Sequence, residues 1–117
     1  MKSYKELVVW EKSMDLVVLI YNLTRTFPDE EKFGLVSQMR RAAVSIPSNI
    51  AEGFGRRNNK DNARFVGIAF GSAMELETQL IICQRLNYFD MNTSTQVVYS
   101  FLDQVLRILY AYRRSLQ

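Results

Sequence analysis

Between Val66 and Cys83 the apolar positions Val66, Ala69, Ala73, Leu76, Leu80 and Cys83 recur at spacings of 3, 4, 3, 4 and 3. A helix turns once in about 3.6 residues, so this alternation draws one seam along a single long helix, as in helices that pack lengthwise in a bundle. The spacing predicts a helix from about Lys60 or Asp61 to Leu86. Gly67 and Gly71 lie one turn apart within it. Each costs about 1 kcal/mol relative to alanine, which predicts that another helix backbone passes close by.

Three further helices are expected around this one. The first runs from about Val9 to Thr26, with Trp10, Met14, Val17 and Tyr21 on one face and Leu16, Ile20 and Leu23 beside it, and Phe27-Pro28-Asp29 ends it. The second starts within Asp29 to Lys32, where three acids suit a positive helix N-terminus, and ends at Gly53 to Gly55. Pro47 lies inside it and predicts a kink rather than a stop, with Asn49 placed to bond the carbonyl that Pro47 leaves unpaired. The fourth is capped by Thr93 or Ser94 and runs to about Ser115, with Val98, Phe101, Val105, Ile108 and Tyr112 on one stripe and Tyr99, Leu102, Leu106 and Tyr110 on the next. Short connections favour antiparallel neighbours, so the expected fold is all-α: one domain over residues 1–117, an up-down-up-down antiparallel four-helix bundle. The apolar surface is too wide for one core of this size, which predicts association with further copies or partners.

Composition removes several functions. The chain has no histidine and one cysteine, Cys83, so histidine-containing zinc sites, a histidine base and an intrachain disulfide are absent; no metal or cofactor is expected. Cys83 reads as a small buried hydrophobe. Met1 to Glu6 runs into mixed apolar and charged sequence without the apolar region of a signal peptide, and a cytoplasmic protein is expected. From Phe65 to Gln84 the only charges are Glu75 and Glu77. Two central glutamates are costly in hydrocarbon, so the segment reads as a helix buried by protein and not as a membrane span.

Charge is unevenly placed. Residues 40–64 hold 6 basic and 2 acidic side chains, against 5 and 6 in residues 1–39 and 4 and 4 in residues 65–117. The net charge of +3 therefore belongs to the middle block, a local field that attracts phosphates or carboxylates.

The residues from Leu7 to Trp10, Phe27-Pro28 and the run Phe33-Gly34-Leu35-Val36-Ser37-Gln38-Met39-Arg40-Arg41-Ala42-Ala43-Val44-Ser45-Ile46-Pro47-Ser48-Asn49-Ile50-Ala51-Glu52-Gly53-Phe54-Gly55-Arg56, with Phe65, Gly71-Ser72, Glu75 to Thr78 and Leu80, closely resemble the bacterial 23S rRNA-intervening sequence protein family. A related branch comprises accessory proteins of diversity-generating retroelements, which bind nucleic acid and a reverse transcriptase through basic surfaces. The resemblance implies a cytoplasmic helical bundle, a ring-shaped homopentamer and association with RNA or DNA. No catalytic activity comes with it.

Candidate sites follow from the arginines. Arg40 and Arg41 are adjacent and diverge by about 100° on a helix, so they face different partners. Either an ion pair with Glu75 or Glu77 or a phosphate contact accounts for them. Arg56, Arg57 and Lys60 occupy a glycine-led loop and Arg64 lies one turn into the next helix, beside free N–H groups that favour anions. This cluster is the expected nucleic-acid contact; the alternative is a solvated loop with Arg64 paired to Asp61. Glu52 stands four residues before Arg56, the spacing of a structural pair. Phe54, Tyr99, Tyr110 and Tyr112 suit core or interface before base stacking. Glu75 and Glu77 point to different helix faces and have no nucleophile beside them, so a non-enzymatic, oligomeric, nucleic-acid-associated scaffold is expected. The alternative is an adaptor for a reverse transcriptase or another partner enzyme.

Overall fold

The computed structural model describes every residue from Met1 to Gln117. Four helices carry the chain: α1 (Val8–Thr24), α2 (Leu35–Phe54), α3 (Asn59–Arg85) and α4 (Thr93–Ser115), with 3-10 turns at Tyr4–Glu6 and Asp29–Glu31. There are no strands. Each helix packs on its neighbours in sequence, and α1 closes against α4, giving a four-helix bundle of 44 × 27 × 21 Å. The contacts run in opposite senses along successive helices. Arg40 bonds Thr24 while Trp10 and Ala51 border one groove; Met39 meets Cys83 while Gly53 meets Asn62; Asn62 bonds Tyr112 while Gln84 bonds Tyr99.

Helix starts follow local hydrogen bonding. The acids Asp29 to Glu31 form a separate 3-10 turn and α2 begins only at Leu35, later than its acidic run suggested. Glu31 still serves that terminus, because its carboxylate accepts the Leu35 amide at 3.2 Å. Asn58 caps α3 by accepting the Asp61 amide at 2.8 Å. Asn92, rather than Thr93 or Ser94, caps α4 in a reciprocal box with Thr95. At the end of α3 the amides of Asn87 and Tyr88 bond the carbonyls of Gln84 and Cys83 at 3.0 Å each, a closure that places Asn87 at φ 60. Asparagine tolerates that left-handed conformation. The turn delivers the Tyr88 hydroxyl to Glu31 at 2.7 Å, and it ties the α3–α4 connection to the start of α2.

α2 runs unbroken through Pro47. Asn49 donates to the Ser45 carbonyl and hydroxyl at 2.8 and 2.9 Å, not to the Ala43 carbonyl that Pro47 leaves without its usual donor. The helix ends at Phe54, yet neither Gly53 nor Gly55 has positive φ. Gly53 is needed for space: a Cβ there would lie 2.6 Å from Asn62 Oδ1 and 2.9 Å from Phe65 Cβ. The close helix approach expected at Gly67 and Gly71 therefore occurs at Gly53. A Cβ at Gly67 would meet the Arg113 guanidinium at 2.9 Å, and at Gly71 it would meet nothing.

The seam of α3 is buried from Val66 to Cys83 and packs with Met39, Ile46 and Ile50 of α2, Leu16 and Ile20 of α1, and Leu102, Val105 and Leu109 of α4. On α4 the buried stripe is Thr95, Val98, Leu102, Val105 and Leu109: Val98 and Val105 come from one expected stripe and Leu102 from the other, while Phe101 and Ile108 are half-buried. On α1 it includes Ser13 and Thr24, whose hydroxyls donate to carbonyls of their own helix at 2.8 Å. That internal bonding lets polar side chains occupy core positions without an unpaired donor. By length and composition α3 could cross a membrane, but in the bundle its seam is core. Its opposite side is open, with Ile68, Met74, Ile81 and Ile82 all exposed.

Candidate nucleic-acid interface

The tight α2–α3 turn at Gly53 brings Phe65 beneath the basic loop. The guanidinium carbons of Arg56 and Arg64 lie 4.5 and 4.4 Å from the centre of that one ring. A quadrupolar ring face attracts both cations and orders them without neutralising either. Arg56 also pairs with Glu52 at 2.8 Å, both side chains substantially exposed. Arg64 does not pair with Asp61; apart from Glu52–Arg56, the only ion pair is Asp103–Arg107. Arg57 and Lys60 are exposed and have no carboxylate partner.

The last turn of α4 completes this end. Lys60, Arg64 and Arg113 border a cleft of about 520 Å³ with Asp61, Leu116 and Gln117, and the Arg113 guanidinium lies over Gly67. Arg113 and Arg114 also border an adjoining groove with Phe70 and Tyr110, whose rings are 6.2 Å apart. Five cations, Arg57, Lys60, Arg64, Arg113 and Arg114, thus share one end of the bundle outside any ion pair. The two from α4 were not among the expected contacts. The signal was present: adjacent arginines close an antiparallel helix, which must end beside the start of α3.

Arg40 and Arg41 lie about 20 Å away along α2, at 1.5 Å per residue. They pair with neither Glu75 nor Glu77. Arg40 turns to α1, where Nε donates to Thr24 Oγ1 at 3.0 Å, Nη2 donates to the Tyr21 carbonyl at 3.4 Å, and the guanidinium stacks 4.5 Å from the Tyr21 ring centre. Directed onto α1 in this way, Arg40 leaves Glu75 and Glu77 of α3 unpaired. Arg41 borders a small polar groove with Glu75, Ser45 and Ser72 and, together with Arg40, a second groove that includes Tyr21. Glu75 is exposed and Glu77 half-exposed, so neither carboxylate needs a buried cation.

The sequence model of the 23S rRNA-intervening sequence protein family matches residues 5–111. The chain belongs to the 23S rRNA-intervening sequence protein family. A crystal structure from Bacteroides thetaiotaomicron, described as a protein of unknown function from the S23 ribosomal protein family, superposes with a TM-score of 0.82 at 26% identity, covering 92% of this chain and 96% of that one. No curated protein matches the chain.

In this member of the 23S rRNA-intervening sequence family the acidic side chains do not converge: no three His, Cys, Asp or Glu groups are placed to hold a metal ion. Cys83 is fully buried with its Sγ 3.6 Å from Met39 Sδ, and burial pushes its thiol up to about 11, with Glu31 adding to the shift. The hydrogen bond to Glu31 pushes Tyr88 up to about 12. Both groups stay protonated near neutrality. Of the aromatics, Tyr99 donates to Gln84 at 3.0 Å and Tyr112 accepts from Asn62 at 3.1 Å, while Tyr110 is exposed beside Arg114.

Proposed function

We propose that this protein is a non-enzymatic, oligomeric scaffold that binds structured RNA through the basic end formed by the α2–α3 loop, the first turns of α3 and the last turn of α4. The observation that carries this reading is the group of five cations there, none engaged by a carboxylate. Cations held near one another but not neutralised release counterions from a polyanion when it docks, which gives salt-sensitive binding with little sequence preference. Oligomerisation multiplies the patch, and avidity along one polyanion compensates for a monomer charge of only +3. A homopentameric ring acting in the cytoplasm is the assembly proposed.

Support for association comes from the open side of α3, where four large apolar side chains remain exposed in the single chain. The same face favours a second reading, an adaptor that docks a partner enzyme such as a reverse transcriptase. Co-purification of one specific protein after nuclease treatment would favour the adaptor.

The test is a fluorescence-anisotropy titration of the nuclease-treated oligomer against an RNA hairpin at low and near-physiological salt. Binding should weaken steeply with salt, and Arg57→Ala/Lys60→Ala/Arg64→Ala should weaken it further and flatten the salt slope by about 2 to 3. Absence of salt-sensitive binding would sink the reading.

A further inference from the structure

On the other surface, Lys32, Phe33, Arg40 and Arg41 border a groove of about 640 Å³ with Tyr21 as part of its wall. Three of the nine lining residues are cations and none is acidic, so an occupant is anionic. Phe33 is 89% exposed, the highest value among the large hydrophobic side chains. It is held out of the core by the backbone: the 3-10 turn stops at Glu31 and α2 does not start until Leu35, leaving Phe33 on the intervening bend. A ring displayed in this way beside cations is a stacking platform, and Lys32 lies 5.6 Å from its centre.

Arg40 adds geometry. Two of the five donors of a guanidinium are occupied by Thr24 and Tyr21, so three remain for a ligand while the plane is fixed by the Tyr21 stack. Fixed planar donors suit phosphate oxygens. We infer that this groove binds one unpaired nucleotide of a single strand, with its base on Phe33 and its phosphate on Arg41 and the free donors of Arg40. A duplex hides its base faces within the stack and cannot use the platform. The inference rests on the nucleic-acid reading and adds the kind of strand, at a place remote from the basic end.

The experiment measures anisotropy of a labelled single-stranded octauridylate and a blunt RNA duplex with the wild type, Phe33→Ala, Phe33→Leu and Arg57→Ala/Lys60→Ala/Arg64→Ala. An octathymidylate arm separates RNA from DNA as the source of the strand. Phe33→Ala should weaken octamer binding roughly 5- to 100-fold and leave the duplex unchanged. Phe33→Leu, which keeps apolar bulk without a ring, should lose nearly as much. Octamer affinity indifferent to Phe33, with duplex binding intact, would overturn the groove and leave the scaffold reading standing. Duplex binding absent with a Phe33-sensitive octamer would do the reverse. A shift in sedimentation of Phe33→Ala without loss of octamer affinity would assign the groove to contact between copies, and displacement of the octamer by oligoglutamate regardless of Phe33 would assign it to an acidic peptide. Either result overturns the proposal.

Discussion

Arg40 and Arg57 both belong to the basic middle block, yet Arg40 is bound at two points on α1 and stacked on Tyr21, whereas Arg57 is exposed outside any ion pair. The groove around Arg40 is preorganised, so a ligand need not order that side chain. At the basic end Arg56 and Arg64 lie on Phe65, Arg113 over Gly67 and Arg114 beside Tyr110, whereas Arg57 and Lys60 are exposed and have no carboxylate partner. A fixed donor set discriminates by geometry, and a mobile one responds mainly to charge. Arginines 17 positions apart in one basic block thus differ because of what lies under them.

The largest way to break the contrast is at Gly53. Gly53→Leu drives atoms into Asn62 and Phe65, and urea unfolding should show a loss of about 2 to 3 kcal/mol. Because Phe65 is the platform for Arg56 and Arg64, structured-RNA binding should fall too. Unchanged stability would mean that α2 and α3 separate freely there.

Next in size, Thr24→Val removes the acceptor that fixes Arg40 Nε and keeps the side-chain shape. A loss of about 1 to 2 kcal/mol is expected, since a part-buried charged donor loses its partner. This substitution should make the groove resemble the basic end, with single-strand binding weakened and duplex binding unchanged. A double-mutant cycle with Arg40→Ala measures the coupling.

A smaller effect is expected with pH. The folded Cys83 thiol titrates at about 11 against an ordinary 9.0, so both states are protonated below pH 9, while above it the unfolded chain loses the proton first. Stability contributed by the neutral thiol is complete below pH 9 and is lost as pH rises toward 11. Urea midpoints of Cys83→Ala should fall less steeply over that window than those of the wild type. The smallest change is expected for Glu52→Gln, which breaks an exposed i,i+4 pair and should cost at most about 0.5 kcal/mol. Its effect on RNA should be an increase in affinity, because it frees Arg56.

The bundle was readable because the 3-4 seam of α3 is a property of one helix and needs no partner to be recognised. The basic loop was readable for the same reason, since Arg56 to Lys60 are contiguous. Arg113 and Arg114 were missed because their relation to Lys60 exists only through antiparallel packing. The neighbours of Arg40 and Arg41 were not legible because adjacency says that two side chains diverge, not which neighbour each reaches. Ser13 and Thr24 were overlooked as core residues because their hydroxyls bond backward to their own helix, which no apolar pattern reports.

Local chemistry alone determined that this chain forms four helices, where its positive charge concentrates and which chemistries its side chains cannot support. Packing decided the rest: that Gly53 and not Gly71 marks a close approach, that Phe65 lies under two arginines, that α4 adds cations to the start of α3, and that Phe33 stays outside the core. Periodicity and charge are carried by a residue and its near neighbours. Partnership between side chains far apart in sequence depends on helix rotation and offset, which are set by the fit of the whole core.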